Sequence, residues 1–151
     1  MEQLILTADL EEDHIVGLSG KLNLNEFSGF GEACFNSDEI SNFCQELNLL
    51  ASEMEGTVEL IGSQCKADGS EYLETLALRC SVLSSTKLNG IIGVHIILAD
   101  YPYTDCRNEE IRKMSGELQI RNHKIKEFSD SLLLLVNGNQ NEVILNGGLG
   151  I

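Results

Sequence analysis

The sequence contains no tryptophan and a single proline, Pro102. Platforms that bind sugars or single-stranded nucleic acids rest on exposed aromatic side chains, and only three tyrosines and five phenylalanines are present. Pro/Ser-rich linkers, internal sequence repeats and low-complexity tracts are also lacking. These absences predict one domain over residues 1–151, whose end, residues 139–151, either frays or adds an edge strand through Val143 and Leu145.

Long apolar runs are absent as well. The longest runs from Leu132 to Val136, which is far too short to cross a membrane. The N-terminus has no basic region followed by an apolar stretch, so it does not resemble a signal peptide. We therefore expect a cytoplasmic protein with no membrane partner.

The five cysteines are an odd number at irregular spacing, and no Cys-x-x-Cys pair occurs. This pattern argues against a disulfide framework, a zinc site and a thioredoxin-like motif, and it fits the reducing cytosol. Cys34, Cys44 and Cys80 fall on apolar faces of the predicted elements. We expect these three to be small buried hydrophobic residues.

Catalytic motifs are missing too. The sequence has no Gly-x-Ser-x-Gly elbow, phosphate-binding loop, dinucleotide fingerprint, His-Glu-x-x-His or calcium-binding loop. The histidines, His14, His95 and His123, are scattered, and a Cys–His nucleophile pair at His95 stays an alternative without a supporting motif. We therefore expect that the protein is not an enzyme and that it binds no cofactor and no metal.

Basic side chains are few. Lys and Arg number 10 against 24 Asp and Glu, a net charge of −14. Residues 1–65 hold 13 acidic side chains and one basic one, Lys21, whereas residues 66–151 hold 11 and nine. Such a field repels nucleic acids and anionic lipids and speeds the encounter with basic partners. A surface that is merely well solvated is the alternative explanation.

The apolar spacing of the first half predicts a strand over 3–8, an acidic turn at 11–13 and a second strand over 14–24. Residues 27–35 contain two glycines and predict a short irregular strand or bulge. Apolar residues then recur at helical spacing, which predicts a helix over 38–54 with Ser37 as its N-cap, no capping box, and Gly56 as its stop.

The second half alternates like an antiparallel meander, with strands beginning at Val58 and running over 76–82 and 92–98, and turns at 67–69 and 84–86. A polar loop over 101–113, a strand over 117–121 and a helix over 124–136 follow. The predicted fold is α+β: an antiparallel sheet of about six strands packed against two helices.

The acidic positions of the first half are the candidate binding residues. On the predicted helix, Glu39, Glu46 and Glu53 recur every seven residues and therefore share one exposed face. Tyr101 and Tyr103 flank the proline and would suit an interface, although packing onto the domain is the simpler role. The predicted partner-binding residues are Glu11, Glu12, Asp13, Asp38, Glu39, Glu46, Glu53, Glu55, Tyr101 and Tyr103.

The order of elements and several segments resemble a known family. The segments are FSGFGEACF (27–35), SDEISNFCQELNLLA (37–51), EGTVELIGS (55–63) and NGIIGVHIILAD (89–100). Over about residues 14–136 the chain resembles small bacterial immunity proteins of the kind paired with wall-associated and contact-dependent inhibition toxins. The resemblance implies a cytosolic protein that binds a cognate toxin domain, such as a basic nuclease, and neutralises it by stoichiometric occlusion.

Two other functions stay open. A structural adaptor or secretion chaperone would also need no catalytic site, and a gene for a secretion apparatus beside this one would favour it. A small hydrolase with carboxylate chemistry is the third, and two close carboxylates in a deep pocket would favour that activity.

Overall fold

The computed structural model of the chain describes residues 2–65, 72–85, 90–102 and 106–148. The strands are β1 (Gln3–Glu12), β2 (Ile15–Leu24), β3 (Phe27–Asn36), β4 (Thr57–Cys65), β5 (Tyr72–Ser84), β6 (Ile91–Asp100), β7 (Arg112–Arg121) and β8 (Val143–Asn146). The helices are α1 (Ser37–Glu53) and α2 (Asn122–Val136), and Asn108–Glu110 form a 3₁₀ turn. The predicted α+β class with antiparallel strands and two helices is confirmed.

The strands form two four-stranded sheets rather than one sheet of about six strands. Sheet A has the order β3-β2-β1-β8 and sheet B the order β4-β5-β6-β7. All neighbours in both sheets are antiparallel. The apolar faces of both sheets and the two helices share one continuous core.

The two halves of the chain repeat the same architecture. Each half runs through three strands, a helix and a fourth strand, and that fourth strand joins the sheet of the other half. Both helix starts are tied in the same way: Ser37 N donates to His14 O at 2.8 Å, and Asn122 N donates to Gly90 O at 3.0 Å. The absence of a sequence repeat therefore conceals a structural one.

Helix α1 matches the prediction within one residue at each end, but its cap differs. Asn36, not Ser37, is the N-cap residue, and its backbone N–H donates to Glu39 Oε1 at 3.0 Å. A capping box is therefore present, contrary to the prediction, because the cap lies one residue before Ser37 and this places Glu39 at the third helical position. Met54 ends the helix in the left-handed conformation, with φ 55°, before Gly56 turns the chain into β4.

Strand β3 is a regular ten-residue strand that pairs with β2 without a bulge, contrary to the prediction. The glycines serve the contact between the sheets. A Cβ at Gly31 would lie 2.4 Å from Thr75 O, and a Cβ at Gly62 would lie 2.4 Å from Ala33 Cβ. Strand β3 can cross sheet B this closely only because side chains are missing at these two positions.

Several predicted boundaries shift. Strand β1 continues through Glu11 and Glu12, so the predicted acidic turn is reduced to Asp13 and His14, where His14 has φ 67°. Strand β7 begins at Arg112, inside the predicted polar loop. The predicted turn at 67–69 lies outside the described residues, and of the turn predicted at 84–86 only residue 86 does, since Ser84 ends β5 and residue 85 follows it.

The last strand distinguishes the two alternatives predicted for residues 139–151, a frayed end or an edge strand. Strand β8 pairs with β1 at the edge of sheet A and buries Val143 and Leu145, so the edge-strand alternative is confirmed. Among the described residues, neither helix is long and apolar enough to cross a membrane.

The cysteines divide into two kinds. Cys44 and Cys80 are buried as predicted, but Cys34 is exposed because its side chain lies on the outer face of sheet A. Burial raises the pKa of the Cys80 thiol to about 12. Burial also raises the pKa of the Cys44 thiol to about 11, opposed by a hydrogen bond from Ser129 and assisted by the charge of Asp130.

These buried thiols predict a loss of stability at high pH. Because the folded protein favours the protonated thiols, their contribution to the free energy of unfolding is fully present below pH 9 and is lost as pH rises through 11–12. Each thiol should contribute about 2–4 kcal/mol to the free energy of unfolding at neutral pH. Urea unfolding between pH 8 and 11 should show a shallower decline for Cys80→Ala than for the exposed control Cys34→Ala. Identical declines would contradict the assignment.

The two helices pack against each other through a buried hydrogen bond. Ser129 is fully buried and its Oγ donates to Cys44 O at 2.8 Å. Ser129→Ala should lower the free energy of unfolding by about 1 kcal/mol, since the hydrogen bond is lost without creating a large cavity. Ser52→Ala, at an exposed position of α1, is the matched control and should change stability little. Chemical denaturation of both variants provides the comparison.

Candidate functional site

Helix α1 buries one stripe and exposes a face that carries only acidic charge. The buried side chains are Ile40, Phe43, Cys44, Leu47, Leu50 and Ala51. No lysine or arginine occurs in the helix. We define the acidic ridge as Asp38, Glu39, Glu46, Glu53 and Glu55, all of which are exposed.

The ridge extends along the whole helix. In the series Glu39, Glu46 and Glu53, each residue lies about two helical turns after the one before it. Glu39 and Glu53 are therefore about 21 Å apart along the helix axis, at 1.5 Å per residue. Their common face confirms the seven-residue spacing argument, because all three are exposed while the stripe beside them is buried.

The β1–β2 turn lies beside the start of this ridge. The hydrogen bond from Ser37 N to His14 O holds the turn against the first residue of α1. Asp13 is exposed in that turn, and Asp38 and Glu39 lie in the first turn of the helix. Glu11 and Glu12 end β1 just before Asp13. The backbone hydrogen bond therefore brings the β1–β2 turn close to the start of the ridge.

The other end of the ridge borders a shallow groove of about 270 Å³ between the end of α1 and the start of β4. Glu46, Glu53 and Glu55 line it together with Leu49 and Val58. Met54 and Gly56 both have positive φ, 55° and 95°, and Glu55 lies between them where the chain passes from α1 into β4. Three of the predicted residues therefore converge on one apolar-floored groove.

Leu49 was missed from the sequence. Its side chain is 57% exposed although it lies within the groove beside Glu46 and Glu53. The signal was available, because Leu49 is a large apolar residue outside the buried stripe of α1. An exposed leucine surrounded by charge is a suitable apolar anchor at an interface whose rim is polar.

The charge of the ridge is not compensated. No ridge carboxylate forms an ion pair with any residue that the structure describes. Asp38 and Glu39 are favoured by the helix dipole at the N-terminus, but Glu53 lies in the last turn, where the dipole disfavours an anion and no basic residue is present. The C-terminal part of the ridge therefore has an electrostatic cost.

Removing that cost should stabilise the protein. Glu53→Gln keeps the size of the side chain and should raise the free energy of unfolding by about 0.3–1 kcal/mol at low salt. Glu39→Gln should have the opposite effect, since Glu39 accepts the capping hydrogen bond at the favourable end of the dipole. Thermal unfolding of both variants at low and high salt measures the difference. A destabilised Glu53→Gln protein would be inconsistent with an uncompensated charge.

The predicted tyrosines lie away from the ridge. Tyr101 is half-buried, and its hydroxyl donates to Glu74 O at 3.2 Å, so it attaches the segment after β6 to β5. Burial, followed by the charges of Glu74 and Cys106, raises the pKa of Tyr101. Its packing role is visible, and a role in partner binding stays a prediction. Tyr103 lies outside the described residues.

His95 lies on the outer face of sheet B. It pairs with Glu117 on one side and Arg79 on the other, and Arg79 Nε is 3.2 Å from Glu59 Oε2. Cys80 belongs to the opposite, buried face of the same sheet, since it pairs with Val94 in the core. The sheet therefore separates His95 from this thiol.

Larger clefts lie elsewhere on the surface. One of about 480 Å³ lies between α2 and β8, with Arg121, His123, Lys124 and Glu127 among its lining residues. Another, of about 380 Å³, is lined mainly by residues of sheet A. In the described part of the chain, no group of three or more His, Cys, Asp and Glu residues could hold a metal ion.

The fold and the ridge together define an acidic α+β protein with a duplicated arrangement of strands and helices around one core. Comparisons with protein-family models, with curated proteins and with solved structures found no match. The function is therefore inferred from the exposed residues of the ridge and the groove.

Proposed function

We propose that the protein binds a basic protein partner through the acidic ridge of α1 and the adjoining β1–β2 turn. The observation that carries this proposal is the run of uncompensated carboxylates along one side of α1, ending at a groove that contains the exposed Leu49. Ion pairs formed with a partner would relieve the unfavourable charge of the ridge. Leu49 would contribute an apolar contact with the partner and bury its exposed side chain.

The partner class is a basic, phosphate-binding protein domain. A row of carboxylates about 21 Å long, at 1.5 Å per helical residue, can occupy a cleft that normally accepts a nucleic-acid backbone. Together with the family resemblance of the sequence, this favours neutralisation of a toxin domain such as a nuclease. Inhibition would be stoichiometric: the bound protein blocks the cleft, in the cytoplasm, without catalysing a reaction.

The resemblance and the ridge make separate contributions. The ridge supports binding to a basic surface, and the resemblance supplies the identity of that surface as a toxin. An adaptor or secretion chaperone would use the same surface for a different partner. The two alternatives therefore differ in what is bound rather than in where it binds.

The test is capture of partners by tagged protein from the lysate of its own source, followed by salt elution and mass spectrometry. The triple variant Glu39→Lys/Glu46→Lys/Glu53→Lys is compared with the control Glu26→Lys/Asp130→Lys/Glu142→Lys, whose three positions are also exposed. Both variants change the net charge equally.

We expect one basic, toxin-like protein near a ratio of one to one, captured by the wild type and the control but not by the ridge variant. A secretion-apparatus component captured in the same pattern would support the adaptor alternative. An acidic partner, or equal capture by all three proteins, would contradict the use of the ridge.

A further inference from the structure

The buried stripes of the two helices correspond residue by residue at an offset of 85 positions. The pairs are Ile40 with Ile125, Phe43 with Phe128, Cys44 with Ser129, Leu47 with Leu132, Leu50 with Leu135 and Ala51 with Val136. Any two amphipathic helices bury positions at similar spacing. Identity at four of the six pairs is not required by that spacing, so the match lies in the sequence as well as in the architecture.

The same offset continues through the strands on either side of the helices. After each helix the chain carries the pattern Val-x-Leu-x-Gly, at residues 58–62 and again at residues 143–147. Before the helices, Gly31 of β3 corresponds to Gly116 of β7, and the next residue of each strand is a glutamate. The match therefore extends from β3 through β4 in one half and from β7 through β8 in the other.

The matched glycines make matched contacts. A Cβ at Gly62 would meet the Cβ of Ala33, and a Cβ at Gly147 would meet the Cδ2 of Leu118. Ala33 and Leu118 are also related by the same offset, and both are buried on the inner faces of β3 and β7. The offset thus relates pairs of contacting residues and not only the residue types along the chain.

An insertion interrupts the repeat. Two residues separate β2 from β3, whereas eleven separate β6 from β7. The register with β3 and β7 places β2 and β6 at an offset of 76. His14 O and Gly90 O, which accept hydrogen bonds from the first residues of α1 and α2, show the same offset. Because the offset changes within each half, the sequence shows no continuous repeat.

An approximate two-fold axis relates the halves. Asn122 Nδ2, at the start of α2, donates to Ala51 O, near the end of α1, at 3.2 Å, so the helices run in opposite directions. Ser129 and Cys44 occupy equivalent positions and touch each other, since Ser129 Oγ donates to Cys44 O at 2.8 Å. Equivalent residues contact each other only beside a two-fold axis. The exchange of β4 and β8 between the sheets is reciprocal, as such an axis requires.

We infer that the chain is a tandem duplication of one β-β-β-α-β unit, and that the partner each unit requires is a second copy of that unit. One unit contributes β1–β4 and α1, and the other contributes β5–β8 and α2. Neither unit completes a four-stranded sheet alone, because its fourth strand lies in the sheet of the other. The two units thus form an intramolecular dimer whose interface is isologous.

The repeat covers the core and not the acidic ridge. Glu39 and Glu46 of α1 correspond to Lys124 and Ser131 of α2. The units have therefore kept the residues that hold them together and have diverged on the exposed faces of their helices. The inference is independent of the proposed function, since it depends only on contacts inside the protein.

The hydrogen bond at the axis provides the test. In a two-fold arrangement, a hydroxyl at position 44 can donate to the carbonyl of residue 129, as Ser129 Oγ donates to Cys44 O. Ser129→Ala should lower the midpoint of urea unfolding by about 0.5 M. Adding Cys44→Ser to this variant should recover about half of that shift or more, because the lost hydrogen bond is rebuilt from the other unit.

The reciprocal exchange Cys44→Ser/Ser129→Cys gives a second measurement. This variant is the mirror image of the wild type at the axis, so it should unfold at the same urea concentration. A midpoint lowered by more than about 0.5 M, or a chain that does not fold, would overturn the two-fold arrangement.

Two controls place a hydroxyl at buried positions away from the axis, each in the Ser129→Ala background. Ala51→Ser lies in the same helix as Cys44 and can use the backbone of that helix, and Cys80→Ser replaces a second fully buried cysteine, on β5. Neither should recover the midpoint. Equal recovery by Ala51→Ser and Cys44→Ser would assign the effect to bonding within one helix, and no recovery by Cys44→Ser would show that positions 44 and 129 are not equivalent. Either result overturns the inference.

Discussion

Gly31→Ala should destabilise the protein by about 3 kcal/mol, at the upper end of what overpacking by one methyl group costs. The new Cβ would lie 2.4 Å from Thr75 O and 3.2 Å from both Ala99 N and Leu98 Cβ. Backbone atoms cannot rotate away as a side chain can. Strand β3 would therefore have to separate from sheet B, and urea denaturation measures the cost.

Gly17→Ala is the matched control for this variant. It lies on the neighbouring strand β2, and its Cβ would have only ordinary contacts at 3.7 Å. The change should alter stability by no more than about 0.5 kcal/mol, because nothing must move and alanine restricts the unfolded chain. Equal urea midpoints for the two variants would show that β3 does not cross sheet B as closely as described.

The second large effect concerns binding. Reversing Glu39, Glu46 and Glu53 to lysine should weaken the affinity for the captured partner by about 100-fold or more, since three attractive charges become repulsive at one interface. Folding should be retained because all three positions are exposed. Circular dichroism confirms the fold, and titration calorimetry measures the affinity.

A second variant separates contact from long-range attraction. Leu49→Ala leaves the charge unchanged but removes the apolar side chain from the groove. It should mainly raise the dissociation rate, whereas the charge reversals should mainly lower the association rate. Affinity that is unaffected by both kinds of change would place the interface elsewhere on the protein.

Local sequence patterns were sufficient to predict many of the helices and strands. The buried stripe of α1 follows from the spacing of Ile40, Phe43 and Leu47, and the strands of sheet B follow from simple alternation. Alternation identifies a strand but not its neighbours. The split into two sheets depends on β4 joining β5 and β8 joining β1, and the second of these pairings links the two ends of the chain.

The remaining differences have local physical causes. The glycines of β3 predict an irregular strand, whereas Gly31 in fact allows the regular strand β3 to contact sheet B. The prediction places Cys34 on an apolar face, but in the strand the buried face holds its neighbours Ala33 and Phe35, and Cys34 lies on the opposite, exposed face. The sequence pattern of one strand does not show which face of its sheet is covered.

The candidate site was only partly accessible from the sequence. The seven-residue spacing located the charged face of α1, and the structure adds Leu49 and the groove that Glu46, Glu53 and Glu55 line with it.

The most direct test of the account is the dependence of the association rate on ionic strength, measured for the wild type and the ridge variant with the captured partner. If the ridge steers the partner, the rate for the wild type should fall steeply as salt rises from low to physiological concentration. The rate for Glu39→Lys/Glu46→Lys/Glu53→Lys should be low and should not fall with salt. The same steep decline for both proteins would contradict the claim that the acidic ridge recognises the partner.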